Sequence, residues 1–486
     1  MTARQLATPG PGAAELVDQL LVTPAVTRIS ASAYDTAILA RLRTGDGGLL
    51  LPATARWLLA NQHPDGSWGG SVEAPHDRCV CTLAAVVALT ESGLPDLADV
   101  IERGVRSLWP VAEDLRPGDW RESIAFEVIV PMLLDRAREL GLKLPFDQLA
   151  WVTRERAAKL GRVPPDAYER ITTLVHSLEA FPDWPSLAGL GSPDGSFGSS
   201  PAATAAAYAT EPSATTLDYF ATVTQAAGGA GGVPTVYPYR TFDDAWTYNA
   251  LLLGGVSAAR IRPHAAWLAS QVTDRGIGPA AGLPPDADDT GMVLPVLAAC
   301  GYPVDLGVLS HFETPDGYVT FELERGFSVS TNVHVLGALR LDREGMARQI
   351  RIVLDYLRSQ RREGAFWVDK WHLSPMYATG HAIPALHGLD EELCGPALAW
   401  VLATQRRDGS WGSLEETAYA LLALLTTLTG HPHVEPALHR GMEFVRENWS
   451  GPTNTHPELW IGKVLYSPYR VIDAALAGAW HGYHHR

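Results

Sequence analysis

Asp286, Asp288 and Asp289 fall within four residues, in the string DADDT at 286–290. An apolar stretch of helical character, GMVLPVLAA at 291–299, follows at once. Three carboxyls this close cannot all ionise cheaply once buried, because burial and mutual repulsion both favour the protonated form. At least one is expected to keep its proton at neutral pH. A neutral carboxyl whose partners hydrogen-bond its second oxygen is a Brønsted acid poised beside an apolar space. Two other readings stay open on the string alone. The carboxylates could cap the following helix and answer its dipole. They could also hold magnesium, as DDxxD strings do. No DDxxD occurs, because Asp243-Asp244 and Asp288-Asp289 are both followed by other residues. That argues against ionisation of an allylic diphosphate.

An acid of this kind needs a rigid frame. Most of the sequence reads as helices of ordinary length, broken by Gly- and Pro-rich turns, with few alternating strand patterns. An all-α fold is expected. Repeats mark its plan. NQHPDGSWG (61–69) returns as TQRRDGSWG (404–412), with looser copies SPDGSFG (192–198), SQVTDRGIG (270–278) and SQRREGAFW (359–367). Each follows a Leu-, Ala- and Trp-rich helix. Gln can bond a neighbouring helix end, Asp-Gly makes the turn, and Trp packs over the joint. Such units cannot bury their apolar faces alone, so copies should close into a ring of helix pairs. The 486 residues fit two rings better than one. One is expected over 27–210 and the other over 211–486, with GGAGG (228–232) as a joint and 1–26 carrying a helix that packs on a ring.

Composition narrows the function. At 46% hydrophobic and 19% charged, the chain is foldable. Its net charge of −16 and the lack of a basic segment disfavour nucleic acid. Cys79, Cys81, Cys300 and Cys394 are too few for a disulfide scaffold, and C-x-C is not a zinc-knuckle spacing. Reduced thiols and a cytoplasmic location are expected. No signal peptide is read at the N-terminus. The apolar runs 79–89 and 419–428 fall short of the ~18 residues a membrane span needs.

The chain resembles the class II terpene cyclases, of the bacterial diterpene type that makes copalyl (labdane-type) diphosphates. The matching segments run in order: SAYDTA (32–37), DGSWG (65–69), DR-x-x-x-TLA (77–84), FEVIVPMLL (126–134), KLGRVP (159–164), LVHSLEA (174–180), DGSFGSSPAATA (194–205), VPTVYP (233–238), DADDT (286–290), STNVHVLGAL (330–339), DKWH (369–372), EETAYAL (415–421) and LWIGKVLY (459–466). The resemblance implies two α-helical barrels. The N-terminal helix belongs with the second barrel (β domain), the first barrel (γ domain) is inserted after it, and the repeats are the family's QW motifs. A substrate cavity lies between the barrels.

The resemblance also implies roles. Asp288 is the proton donor, with Asp286 and Asp289 polarising it. His334, with Asn332 close by, is expected to hydrogen-bond the acid. Glu127 and Lys159 match residues that bind the diphosphate with magnesium; Lys370, Lys463, Arg78 and Arg240 are further cations for that task. His176 matches a histidine that holds the deprotonating water in plant enzymes of the ent type, and Thr235 replaces its Asn partner. Carbocations favour π faces, so Trp246, Tyr237, Trp367, Trp371 and Tyr377 are candidates for the cavity wall. The implied substrate is geranylgeranyl diphosphate, with the diphosphate retained. The alternatives are farnesyl diphosphate giving a drimane-type bicycle, a hopene-type triterpene cyclase, and a non-catalytic helical-barrel binding module. A monomer or homodimer without stable membrane insertion is expected.

Overall fold

The computed structural model describes residues 13–22, 27–161, 172–181, 184, 186–322, 324, 326–427, 432–452 and 455–486. Residues 1–12 and 23–26, and Arg162, Val163 and Pro164 of the KLGRVP string, lie outside them. The first helices are α1 (Ala13–Leu21), α2 (Ala33–Ala40), α3 (Pro52–Ala60), α4 (Pro75–Glu91), α5 (Ala98–Asp114), α6 (Phe126–Glu139), α7 (Ala150–Leu160), α8 (Pro201–Thr210) and α9 (Ala214–Ala226). Then come α10 (Arg240–Leu253), α11 (Ala258–Gln271), α12 (Ala287–Ala299), α13 (Val329–Leu339), α14 (Ala347–Gln360), α15 (Pro375–Leu386), α16 (Glu391–Thr404), α17 (Leu414–Thr426), α18 (Val434–Asn448) and α19 (Tyr469–His484). Short 3-10 segments and two small hairpins, β1 (Glu313–Thr314) with β2 (Gly317–Tyr318) and β3 (Trp460–Ile461) with β4 (Leu465–Tyr466), complete it. None of the described helices is long and apolar enough to cross a membrane.

Two closed rings result. In the first, α2 packs on α4, α4 on α6, α6 on the 3-10 segment Thr172–Ala180, that segment on α8, and α8 back on α2. In the second, α10, α12, α13, α15, α17 and α19 follow one another around, and α19 returns to α10. The inner helices are buried along most of their length. The others pack outside them; α1 touches α19 and α10, and α9 packs on α8. This is an all-α fold of two α/α barrels.

The repeats are the clasps between outer and inner helices. Gln62 Nε2 donates to the Gly66 and Val100 carbonyls, both at 2.9 Å, and Trp68 Nε1 donates to the Leu58 carbonyl. Gln405 and Trp411 make the same bonds in the last copy. The turn needs glycine: Gly66 and Gly409 have φ near +90°, and a Cβ on either would strike a backbone carbonyl. Each clasp also reaches the next inner helix. The backbone N–H of Trp68, Phe197, Ile277, Trp367 and Trp411 donates to the hydroxyl of Thr82, Thr204, Thr290, Thr379 and Thr417 in turn. Thr290 is the last residue of DADDT. The same device that closes the barrel therefore anchors the acid string.

Candidate active site

Asp286 is the N-cap of α12. Its backbone is extended and its Oδ1 accepts from the Asp289 N–H at 2.8 Å. The capping reading of the string is thus correct for Asp286. The turn before it is fixed by Asp286 N–H to the Ile277 carbonyl and Ala287 N–H to the Thr320 carbonyl. Asp286 and Asp289 are buried, and both carboxyls are pushed well above the usual carboxylate range. For Asp286 the causes are burial and then the neighbouring Asp288 carboxyl; for Asp289 they are burial and then Asp286.

Asp288 projects differently. Its side chain keeps 15% exposure, between neighbours that are buried. His334 Nδ1 lies 2.7 Å from its Oδ1, and Oδ2 has no hydrogen bond among the described residues. α13 brings His334 there. At Gly291 the crossing of α12 and α13 is so close that a Cβ would sit 2.8 Å from Val335 N. Ser328 caps α13, and Asp369 ties it down through Ser328 Oγ, Ser330 N and Ser330 Oγ at 2.8–3.0 Å. Beyond His334, its Nε2 lies 2.9 Å from His381 Nδ1 on α15. Burial and the neighbouring His334 and His372 hold His381 neutral, well below the usual histidine range.

An aromatic wall adjoins the acid. Trp246 meets His334 edge to face at 5.3 Å, and its Nε1 donates to Tyr377 Oη at 3.0 Å. Tyr377 packs on His372, His381, Tyr419 and Trp460 at centroid distances of 4.4–5.3 Å. Buried Glu415 fixes three of these rings, accepting from Trp460 Nε1 and Tyr419 Oη and meeting His372 Nε2. Trp460, Tyr419, His372 and His381 escape the sequence reading; LWIGKVLY, EETAYAL and DKWH were its available signals for the first three.

The expected diphosphate end lies at the start of α6. Glu127 is buried there and pairs with the exposed Lys159. Glu122, which sequence reasoning missed, is pushed up to about 7 by burial, Glu127 and Glu155. Two carboxyls repelling each other beside one lysine form an oxygen-rich donor set that suits a hard divalent cation. His176 lies in the first ring, its Nδ1 2.7 Å from the Gly198 carbonyl. Burial and Lys463 lower its pKa to about 3. Thr235 is buried with its hydroxyl towards Asp35 but without a hydrogen bond of normal length.

Several expected site residues are engaged elsewhere. Asn332 cannot serve the acid: its amide bonds the Tyr318 N–H, the Tyr318 carbonyl and the Ser328 carbonyl, all at 2.9 Å. Trp367 is a clasp residue, with Nε1 on the Leu357 carbonyl, and is fully buried in its joint. Lys463 is fully buried and bonds Glu179, Ser200 Oγ and the His176 carbonyl, so its charge is already answered. Lys370 pairs with Glu324 and lies over Trp371. Arg240 pairs with Asp244 and stacks on Trp267. Arg78 is buried on α4 beside Asp77, and Tyr237 gives its N–H to the Ser199 carbonyl. Trp371 sits on the Asp369 turn. A cavity of about 640 Å³ in the first ring touches Arg41, Glu91 and Arg136 but no residue of the acid site. Its guanidiniums already hold Glu91.

No family model matches the sequence. A type B diterpene cyclase of Mycobacterium tuberculosis (strain ATCC 25618 / H37Rv) is 32% identical, covering 93% of this chain and 95% of that protein. A copalyl diphosphate synthase of Streptomyces cyslabdanicus is 33% identical over 87% of this chain and 86% of its own. Among solved structures, ent-copalyl diphosphate synthase from Streptomyces platensis matches with a TM-score of 0.80 and 32% identity, covering 97% of this chain and 98% of that one. With an acid string on a barrel helix and relatives alike over nearly their whole length, the chain is an enzyme that belongs to the bacterial class II diterpene cyclases.

Proposed function

We propose that the enzyme protonates the terminal alkene of geranylgeranyl diphosphate and closes two rings, giving a copalyl-type bicyclic diphosphate. Asp288 carries this reading: a carboxyl held at one oxygen by His334, with the other unengaged among the described residues, beside an aromatic wall. The Oδ2 proton passes to the terminal alkene carbon. Two carbon–carbon bonds then form from the π pairs, and the charge moves to a tertiary ring carbon beside the one that carries the diphosphate-bearing side chain. Trp246, Tyr377, Tyr419 and Trp460 offer π faces to that charge. Loss of one proton ends the reaction, so the product is an isomer of the substrate. We assign that proton to His176, directly or through a water held with Thr235. With Nδ1 donating to the Gly198 carbonyl, Nε2 keeps its lone pair. A carbocation is acidic enough to protonate even this weak base.

The diphosphate is retained in this reading, which the absence of DDxxD from the sequence supports. Magnesium would be held by Glu127 and Glu122, with Lys159 beside them. Once bound, it offsets the diphosphate charge. The names of the copalyl diphosphate synthase relatives favour the C20 substrate. We place the enzyme in the cytoplasm, as a monomer or homodimer. We set the divide between the barrels after α9, since α9 packs on α8.

The test is incubation with geranylgeranyl or farnesyl diphosphate and magnesium, then dephosphorylation and mass analysis. A bicyclic C20 alcohol without inorganic pyrophosphate is expected. Asp288→Asn should fold and lose about a thousandfold or more in kcat, within the range general acids contribute. Pyrophosphate release in step with product, or wild-type turnover by that variant, overturns the reading.

A further inference from the structure

Asp288 can donate to substrate only if its proton sits on Oδ2. That requires His334 Nδ1 to carry a hydrogen and give it to Oδ1. If Nδ1 were instead the acceptor, it would draw the carboxyl proton to Oδ1, away from the alkene. A neutral imidazole has one N–H, so Nε2 must then be an acceptor. Within the protein that lone pair needs a donor, and the group facing it is His381 Nδ1 at 2.9 Å. We propose that His381 is a positioning residue that locks His334 in its Nδ1–H tautomer and so keeps the acid proton of Asp288 turned to the substrate.

This inference rests on Asp288 being the proton donor. His381 suits the task because it does not gain charge. His334 on α13, His372 ahead of α15, Tyr377 on its own helix and Tyr419 on α17 surround it, and none is an acid. A carboxylate there would convert His334 to an imidazolium, which protonates Nε2 and removes the acceptor. The ring planes of His334 and His381 stand at 61°, so one nitrogen of each faces the other while the rings stay unstacked.

Two variants and one spectrum test it. His381→Asn keeps an N–H close to the Nδ1 position; His381→Phe keeps the ring volume and loses the donor. His381→Phe should lower kcat roughly ten- to hundredfold, as loss of an orienting partner does, with KM unchanged. His381→Asn should stay within about threefold of wild type. Nitrogen NMR of histidine-labelled wild-type enzyme should find His334 protonated at Nδ1, and a tautomer mixture in His381→Phe. The idea is overturned if His334 is protonated at Nε2 in the wild type, or if the Asn variant falls as far as the Phe variant. The tautomer is read without turnover, and Asp288→Asn separately tests whether Asp288 is the donor.

Discussion

Replacing Gly291 by alanine tests how closely the acid depends on one helix crossing. A Cβ at 291 would lie 2.8 Å from Val335 N and 2.9 Å from His334 C. Both are backbone atoms and cannot rotate aside. A comfortable contact needs roughly 3.5 Å, so α12 and α13 must part by about 0.7 Å. The Asp288–His334 bond, now 2.7 Å, would stretch past the useful range of about 3.2 Å. A hydrogen bond to a charged group contributes about 1.5–3 kcal/mol. If the bond matters mainly as charge develops on Asp288, kcat falls roughly ten- to hundredfold and KM holds, because the proposed diphosphate end lies on α6. Overpacking should also cost about 1–3 kcal/mol of stability. Gly337→Ala is the control: it lies on α13 with nothing within 4 Å of the added carbon, and should gain up to about 1 kcal/mol from helix propensity. Steady-state product formation and thermal melts read both. A Gly291→Ala enzyme with wild-type kcat and melting temperature would refute the argument, as would equal damage from Gly337→Ala.

Other expectations follow from the same structure. Glu122, with its pKa pushed up to about 7, is protonated below that pH and ionised above it. Apparent magnesium affinity, from activation curves or calorimetry, should therefore rise with pH through about 7 and lose that step in Glu122→Gln; Glu127→Ala should raise KM for substrate. Trp367→Phe removes the indole donor to the Leu357 carbonyl. It should cost about 1–3 kcal/mol in denaturant titrations with kcat unchanged, as befits a clasp. Thr235→Asn should shift the product ratio more than the rate, and His176→Ala should do so more strongly, read by chromatography of the dephosphorylated products.

DADDT was legible because its chemistry is contiguous: three acids before an apolar helix cannot avoid one another. The resemblance placed a partner in STNVHVLGAL, but Asn332 and His334 are two residues apart. Helical spacing turns them some 200° from each other, so one can face Asp288 and the other must face away, here to the Tyr318 turn. The DGSWG repeats were equally plain, yet the threonine on the following helix escaped notice. Its distance from the turn varies, from six residues at Thr417 to fourteen at Thr82. His381 had no local signal. It sits in a plain apolar helix, 47 residues from His334, and only ring closure sets α15 beside α13. Lys463 misled for a related reason. A lysine near the expected diphosphate end reads as a free cation until the fold shows the acids around it.

Those acids bear on the outcome of the reaction. The proposed donor sits in the second ring and the proposed base in the first, so no helix joins them. The β3–β4 hairpin does. Trp460 on β3 packs against Tyr377 beside the acid, while Lys463 at the turn reaches Glu179 at 2.8 Å, Asp35 at 3.6 Å and the His176 carbonyl at 3.1 Å. A fully buried ammonium is costly unless its partners are close and well aligned, so this lysine can settle in few places. Asp35, raised to about 6 chiefly by burial and held down by Lys463, shares that constraint. The hairpin therefore fixes the separation of the proposed donor and the proposed base through an ion network at the junction of the rings. In a cascade where the cation moves along the chain, the carbon that loses its proton is the one this separation brings within reach of the base. Under the proposed mechanism, control over the product belongs to the joint between the barrels as much as to the wall that holds the charge.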